Sequence, residues 1–427
     1  MNYKEFVDYI YQRHSGNVKL GLERINNILQ LMGNPNKILT GIHIAGTNGK
    51  GSTAAMCESL ALAHNLTTGL NTSPHLTDYR ERIRINGKNI AFEELMNAYK
   101  TREAILEQNE ASFFEITTAL AFDVFLKNNV ECAVFEVGLG GRLDGTNPFD
   151  ATITAITTVS YDHTKSLGNT IEKIAFEKAG IIKKSTPLVI GKMGENAKKV
   201  IKKKAVELEA PTYELGKDFT IKNIHITTAG TLFDYKSGTL NLKNIKVNLI
   251  GEHQAYNAAV AIQSFELFTA EKNIILQESH IRKALCEINW QGRMQIIHKE
   301  PTVIVDGAHN LEGISVLKKN VSKLFPTNRI ITVLAILRDK NLESIIKDVC
   351  DFSDYIFITK NKSARAAELD EQVEFLKKNK AQYTAVEDVK TACEKALKYA
   401  KTKDIVLITG SLYTISEILN EGRFKVK

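Results

Sequence analysis

Short β-branched, apolar runs alternate along this chain with longer segments whose apolar positions recur at helical spacing. Residues 42–45, 132–137, 152–159 and 187–190 read as strands in the first part, and 302–305, 330–337, 355–359 and 404–409 in the last. Helical periodicity marks 50–64, 93–107, 115–128, 254–268, 312–324 and 389–399. Such alternation predicts βαβ units around mostly parallel sheets. The stretch 213–249 differs: its period is two, Gly230 and Gly238 are turn candidates, and it is expected to extend or decorate the first sheet. A helix-like segment ends at INWQGR and a new strand, loop and helix series begins at Thr302, which puts a domain boundary near 288–293. The expectation is α/β with two domains: 1–290, a P-loop-type, mostly parallel sheet with helices on both faces and a small β extension, and 291–427, a smaller Rossmann-like α/β domain. Ligands of open α/β sheets gather at the carboxyl ends of strands, so the two are expected to face a shared cleft.

Length supports two cores, since 427 residues exceed what one core usually organises. Lys plus Arg exceed Asp plus Glu by 56 to 49, a mild bias that helps gather anionic small molecules. The lysine runs Lys198-Lys199 and Lys202-Lys203-Lys204 read as a solvated helix face, so nucleic acid is not an expected partner. Five scattered cysteines without CxxC pairing, a charged N-terminus and the lack of any long apolar stretch point to a cytoplasmic protein with no membrane partner, expected to be a monomer.

The strongest local signal is GIHIAGTNGKGST at 41–53, an apolar strand running into a glycine-rich turn and then a helix. Glycines let backbone N–H groups approach phosphate oxygens, a helix N-terminus favours negative charge, and Lys50 can neutralise a terminal phosphate. Gly46, Thr47, Asn48, Gly49, Lys50, Gly51, Ser52 and Thr53 are therefore the candidate ATP-binding residues. The spacing is a variant of the common P-loop, with Gly51 separating Lys50 from Ser52. Glu136 ends the strand CAVFEVG beside GLGGRLDGTN, where a hard carboxylate ligand suits Mg²⁺; a salt-bridged strand end is the plainer alternative. His163 follows the strand at 152–159 and can ligate a metal or simply hydrogen-bond in its loop. Lys178 lies among apolar residues at helical spacing, so its amine is either desolvated and reactive or ion-paired with Glu177. In the last part, Arg293, Asp306 and His309 sit around a strand-to-helix loop suited to phosphate or to structural caps and salt bridges. Phe113, Phe114 and Glu115 open a helix, where the rings can stack on a flat heterocycle or pack a core.

The GTNGKGS form resembles the phosphate loop of the Mur ligase superfamily. The wider set of motifs resembles folylpolyglutamate synthase/dihydrofolate synthase, through 20–24, 72–84, 112–118, 136–147, 162–183, 251–261, 290–310 and 409–412. The resemblance implies an ATP-dependent amide ligase that joins L-glutamate to a folate, and also to dihydropteroate, through an acyl phosphate, releasing ADP and phosphate. It implies two Mg²⁺ sites held by Ser73, Glu136, His163 and a carbamylated Lys178, with room for a monovalent cation. Asn257, Arg293 and Asp306 are implied as further ATP contacts, and Lys50, Lys178, His163, Arg293 and His309 as the groups nearest the chemistry. Phe113, Phe114, Glu115, Arg142 and Asp144 are implied on the substrate side. Gly145 stands where the family often has alanine, and Ala364 where a proline is common. The rival readings are a Mur-type ligase of another carboxylate and amino acid, a P-loop NTPase switch, and a non-enzymatic nucleotide-binding scaffold.

Overall fold

The first sheet is built from β1 (Gly41–Ala45), β2 (Thr68–Asn71), β3 (Ile83–Ile85), β4 (Lys88–Asn89), β5 (Cys132–Glu136), β6 (Ile153–Ile156), β7 (Leu188–Ile190) and β8 (Thr212–Glu214). Their order is β4-β3-β2-β5-β1-β6-β7-β8. All neighbours from β2 to β8 run parallel, and β3 and β4 add an antiparallel edge. Every residue of β1 and β5 is buried, as expected for parallel strands covered on both faces. Ala133 and Phe135 enter one core with the helices Tyr3–Gln12, Glu23–Leu31, Phe92–Gln108 and Phe113–Lys127. Ala45, Ile156, Leu188 and Ile190 enter another with Ile171–Ala179 and Glu195–Glu207. This computed structural model describes residues 1–13 and 21–420; Leu20, which opens the motif segment 20–24, lies outside them.

The β-rich stretch departs from expectation. Only β8 joins the first sheet; the chain then turns at Gly216 (φ +94°), and β9 (Thr220–Thr227), β10 (Gly230–Lys236) and β11 (Asn241–Val247) form a separate three-stranded sheet. β11 exposes Asn241, Lys243, Asn244 and Lys246 and β9 buries only Ile226, while the middle strand β10 is buried along most of its length, which suits a small covering sheet and not the doubly buried interior of the first.

A third sheet, in the order β12-β13-β17-β14-β15-β16, comprises β12 (Gln295–Lys299), β13 (Thr302–Val305), β14 (Ile330–Leu334), β15 (Tyr355–Ile358), β16 (Tyr383–Ala385) and β17 (Ile405–Thr409). It is parallel except for β12. The strand expected at 330–337 ends at Leu334, beyond which Ala335 N donates to Thr409 O at 3.4 Å and the chain leaves the sheet. One compact unit comprises Met1–Ile224, Leu232–Val247 and Gln254–Ile288; the other comprises His225–Thr231, Asn248–His253 and Asn289–Lys427. A single cut at 290 does not provide for the two short segments of the second unit that precede Asn289.

Candidate functional site

Because β5, β1 and β6 are neighbours, the loops that leave their carboxyl ends share one edge of the sheet. The loop after β1 runs into the helix Lys50–Ala63. Gly49 is its N-cap at φ +84° with no side-chain cap, so the first N–H groups of the helix lack an intrahelical acceptor. A β-carbon at Gly49 would lie 2.3 Å from Asn257 Oδ1, and one at Gly46 would lie 1.9 Å from Thr157 Oγ1, so both positions require glycine. The loop is strapped to the segment following β6. Thr47 N donates to Thr158 O at 2.9 Å, Asn48 N to Thr158 Oγ1 at 3.0 Å, and Thr157 Oγ1 to Asn48 O at 2.6 Å. Lys50 Nζ curls over the loop, donating to Gly46 O at 3.0 Å and Thr47 O at 3.1 Å. Ser52 and Thr53 are buried in the first turn of the helix. Asn257 is buried inside the helix Glu252–Glu271, where its Nδ2 donates to Gln254 Oε1 at 3.0 Å; it faces Gly49 and does not cap.

Glu136 closes β5 with its side chain buried. Its Oε2 accepts from Thr72 Oγ1 and, at 3.0 Å, from Ser73 N, which ties the Ser73 loop to the strand end. The glycine loop that follows is closed by Asp144. Oδ2 accepts from Leu139 N at 2.8 Å, and Oδ1 from Thr146 N at 3.0 Å and Thr146 Oγ1 at 2.6 Å. Burial pushes the Asp144 carboxyl up, and these donors pull it back. Arg142 lies over the Phe176 ring and pairs with Glu177, its Nη2 2.9 Å from Oε1.

That pairing leaves Lys178 without Glu177 as partner. Lys178 ends the helix Ile171–Ala179 and is 3% exposed, flanked by buried Ile174, Ala175 and Ala179. Burial, reinforced by the positive charge of Lys50, brings its amine down to about 7, with Asp162 and Asp144 opposing. His163 precedes the short helix Thr164–Leu167 with its side chain 37% exposed, its Nε2 3.9 Å from Asp162 Oδ2. Among the described residues no group of three or more His, Cys, Asp or Glu side chains is placed to hold a metal. The oxygen donors at the sheet edge, the Glu136 carboxylate and the Ser73 hydroxyl, nevertheless fit Mg²⁺, which takes few protein ligands and completes its shell with phosphate and water.

Of the substrate-side residues, Phe113 belongs to the core, stacked on Tyr11 at 5.1 Å and covered by the Arg82 guanidinium at 5.0 Å. The Glu115 carboxylate is committed to the Ser112 capping box and to Arg24, 3.1 Å away. Phe114 alone of the three lies against the glycine loop, where a β-carbon on Gly145 would be 3.1 Å from its ring.

In the second unit, Asp306 follows β13 and is buried, accepting from Met294 N and Ala308 N, both at 2.8 Å. Burial raises its carboxyl, and the Arg293 charge opposes that rise. Arg293 Nη1 donates to Gly292 O at 3.1 Å, and His309 Nδ1 lies 2.8 Å from Gly307 O. The predicted Arg293, Asp306 and His309 are thus gathered around one strand-end loop.

A strand, glycine loop and uncapped helix start that present a lysine, with a carboxylate on the adjacent strand, fit an ATP-dependent ligase of the Mur type. The Mur ligase middle domain matches residues 44–265, and the Mur ligase glutamate ligase domain matches 292–412. The chain belongs to the folylpolyglutamate synthase/dihydrofolate synthase family. It is 36% identical to the Bacillus subtilis dihydrofolate synthase/folylpolyglutamate synthase, with 97% of this chain and 98% of the relative covered. It is 33% identical to the Lacticaseibacillus casei folylpolyglutamate synthase, covering 98% of each. The solved structure of Mycobacterium tuberculosis folylpolyglutamate synthase complexed with ADP superposes with a TM-score of 0.94 at 30% identity, covering 100% of this chain and 98% of that one. No described helix is long and apolar enough to cross a membrane.

Proposed function

We propose that this ligase adds L-glutamate to folates and to dihydropteroate. A carboxylate oxygen of the acceptor attacks the γ-phosphorus of ATP, releasing ADP; the glutamate amine then attacks the acyl carbon, releasing phosphate and a proton. Positioning and charge neutralisation carry such a reaction. The phosphate loop and Lys50 bind the nucleotide with Asn257 behind the loop, and Arg293, Asp306 and His309 are assigned to the nucleotide by the resemblance. Ser73 and Glu136 would hold one Mg²⁺ and His163 with carbamylated Lys178 a second; when bound, the metals supply charge neutralisation on the phosphates. A monovalent cation belongs to the same reading. Phe114, Arg142 and Asp144 lie on the acceptor side, with Phe113 and Glu115 acting behind Phe114. The five free cysteines support a cytoplasmic setting, and a monomer is the proposed working unit.

The observation that carries this reading is the phosphate loop beside Glu136 in a chain matched end to end by relatives so named. ATP, Mg²⁺ and labelled glutamate, incubated in parallel with dihydropteroate and tetrahydrofolate, should yield ADP in step with labelled amide. ADP release indifferent to both acceptor and glutamate would instead support the switch reading. The near-neutral Lys178 amine supports carbamylation, and a ¹³C-bicarbonate label should appear on Lys178 of active enzyme; a free amine there removes that part.

A further inference from the structure

His43 lies in β1, three residues before Gly46, and is fully buried with its ring 6.0 Å from that of Phe149. Its Nε2 is 2.9 Å from Thr146 Oγ1, and that hydroxyl is 2.6 Å from Asp144 Oδ1. A hydroxyl has one hydrogen to give. Asp144 already receives the N–H groups of Leu139 and Thr146, which favours its ionised, acceptor-only form. Thr146 therefore donates to Asp144 and accepts from His43, which places the imidazole hydrogen on Nε2. Nδ1 is then bare, buried and without a hydrogen-bond partner among the described residues, so nothing is available to receive a second ring proton. Burial, with the Lys183 charge adding to it, holds the ring far down, at about 3.

We infer that His43 is a positioning residue: as a neutral Nε2–H imidazole it pins Thr146, and through it Asp144, so that the loop 138–147 is fixed to the strand that feeds the phosphate loop. The same loop packs against Phe114 through Gly138 and Gly145 and against the backbone carbonyls of Glu177 and Lys178 through Gly141. His43 thus orients the acceptor side from beneath while touching neither nucleotide nor acceptor. This role rests on the ligase reading above.

The test begins with wild-type ligation, because its absence sinks the ligase reading and leaves the tautomer still measurable. His43→Leu should lose about 10-fold or more in kcat/KM for the acceptor while KM for ATP stays within about 2-fold. His43→Gln, whose amide N–H₂ reaches the place of Nε2, should recover to within about 3-fold of wild type. Thr146→Val should resemble His43→Leu, and the double variant should be no worse than the poorer single one, since both break one chain. In wild-type protein with ¹⁵N-labelled histidine, the His43 ring should show a protonated Nε2 and a bare Nδ1 unchanged from about pH 6 to 9. A proton on Nδ1, a ring that titrates in that range, His43→Gln no better than His43→Leu, or additive losses would each overturn the proposal, and the ring measurement decides it even where a variant fails to fold.

Discussion

Two glycine-rich loops leave neighbouring strands at one sheet edge and dispose of their backbone amides in opposite ways. After β5, Asp144 gathers the N–H groups of Leu139 and Thr146 onto its own carboxylate, so that loop contains the anion it binds. After β1, Thr158 takes the Thr47 and Asn48 amides, but the loop has no acidic side chain, the helix cap is a glycine with no side-chain acceptor, and Lys50 adds positive charge. The second arrangement leaves a positive, uncapped helix start; the first is complete once folded. Glycine content alone therefore does not mark a ligand loop. The sign of the charge the loop supplies for itself separates the two cases.

Removing the cation should expose this contrast most strongly. Lys50→Ala is expected to lower the ligation rate about 10²–10³-fold with little loss of stability, read as ADP release coupled to amide formation, since one preorganised positive group is lost from a phosphoryl-transfer site. Wild-type turnover would mean that the open loop is not completed by phosphate. Asp144→Asn should do the reverse: stability falls by about 1–3 kcal/mol in urea melts, because an amide presents donors toward amide donors, while ATP affinity changes little. An unchanged midpoint would show that the loop after β5 is not held by its own anion.

Lys178 stands between the two loops and feels the positive charge of Lys50 and the negative charge of Asp144 together. Its ordinary value of 10.5 falls to about 7 on folding, so between those pH values the unfolded chain holds a proton that the folded chain has shed. Stability contributed at this position rises with pH through that window, and below about 7 the cost of burying the charge is fully present. In CO₂-free buffer the stability advantage of Lys178→Met over wild type should shrink as pH climbs. An advantage constant with pH would show that the amine is not desolvated.

What the sequence made legible was local. Strand, glycines and lysine at 41–53 are contiguous, and the apolar spacing around Lys178 foretold its burial. Partners far apart in the chain were not legible. Glu115 reads as a substrate contact until Arg24, 91 residues earlier, takes its carboxylate. His43 meets Thr146 across 103 residues and passes for one more residue in a strand. The four-residue β2 lies in a run that carries little periodic signal, and the period of two along 213–249 marks strands without saying which sheet they join. Phe113 and Phe114 are adjacent in sequence, and only packing sends one into the core and the other toward the glycine loop.

The hydroxyl strap of Thr157 and Thr158 on the phosphate loop has a thermodynamic consequence. Asn48 O is held by both side chains, at 2.6 and 3.2 Å, so the cradle's ordering entropy is lost when the chain folds and not when nucleotide arrives. ADP and ATP should then meet the same rigid receptor, and the difference in their binding enthalpies should report the terminal phosphate alone.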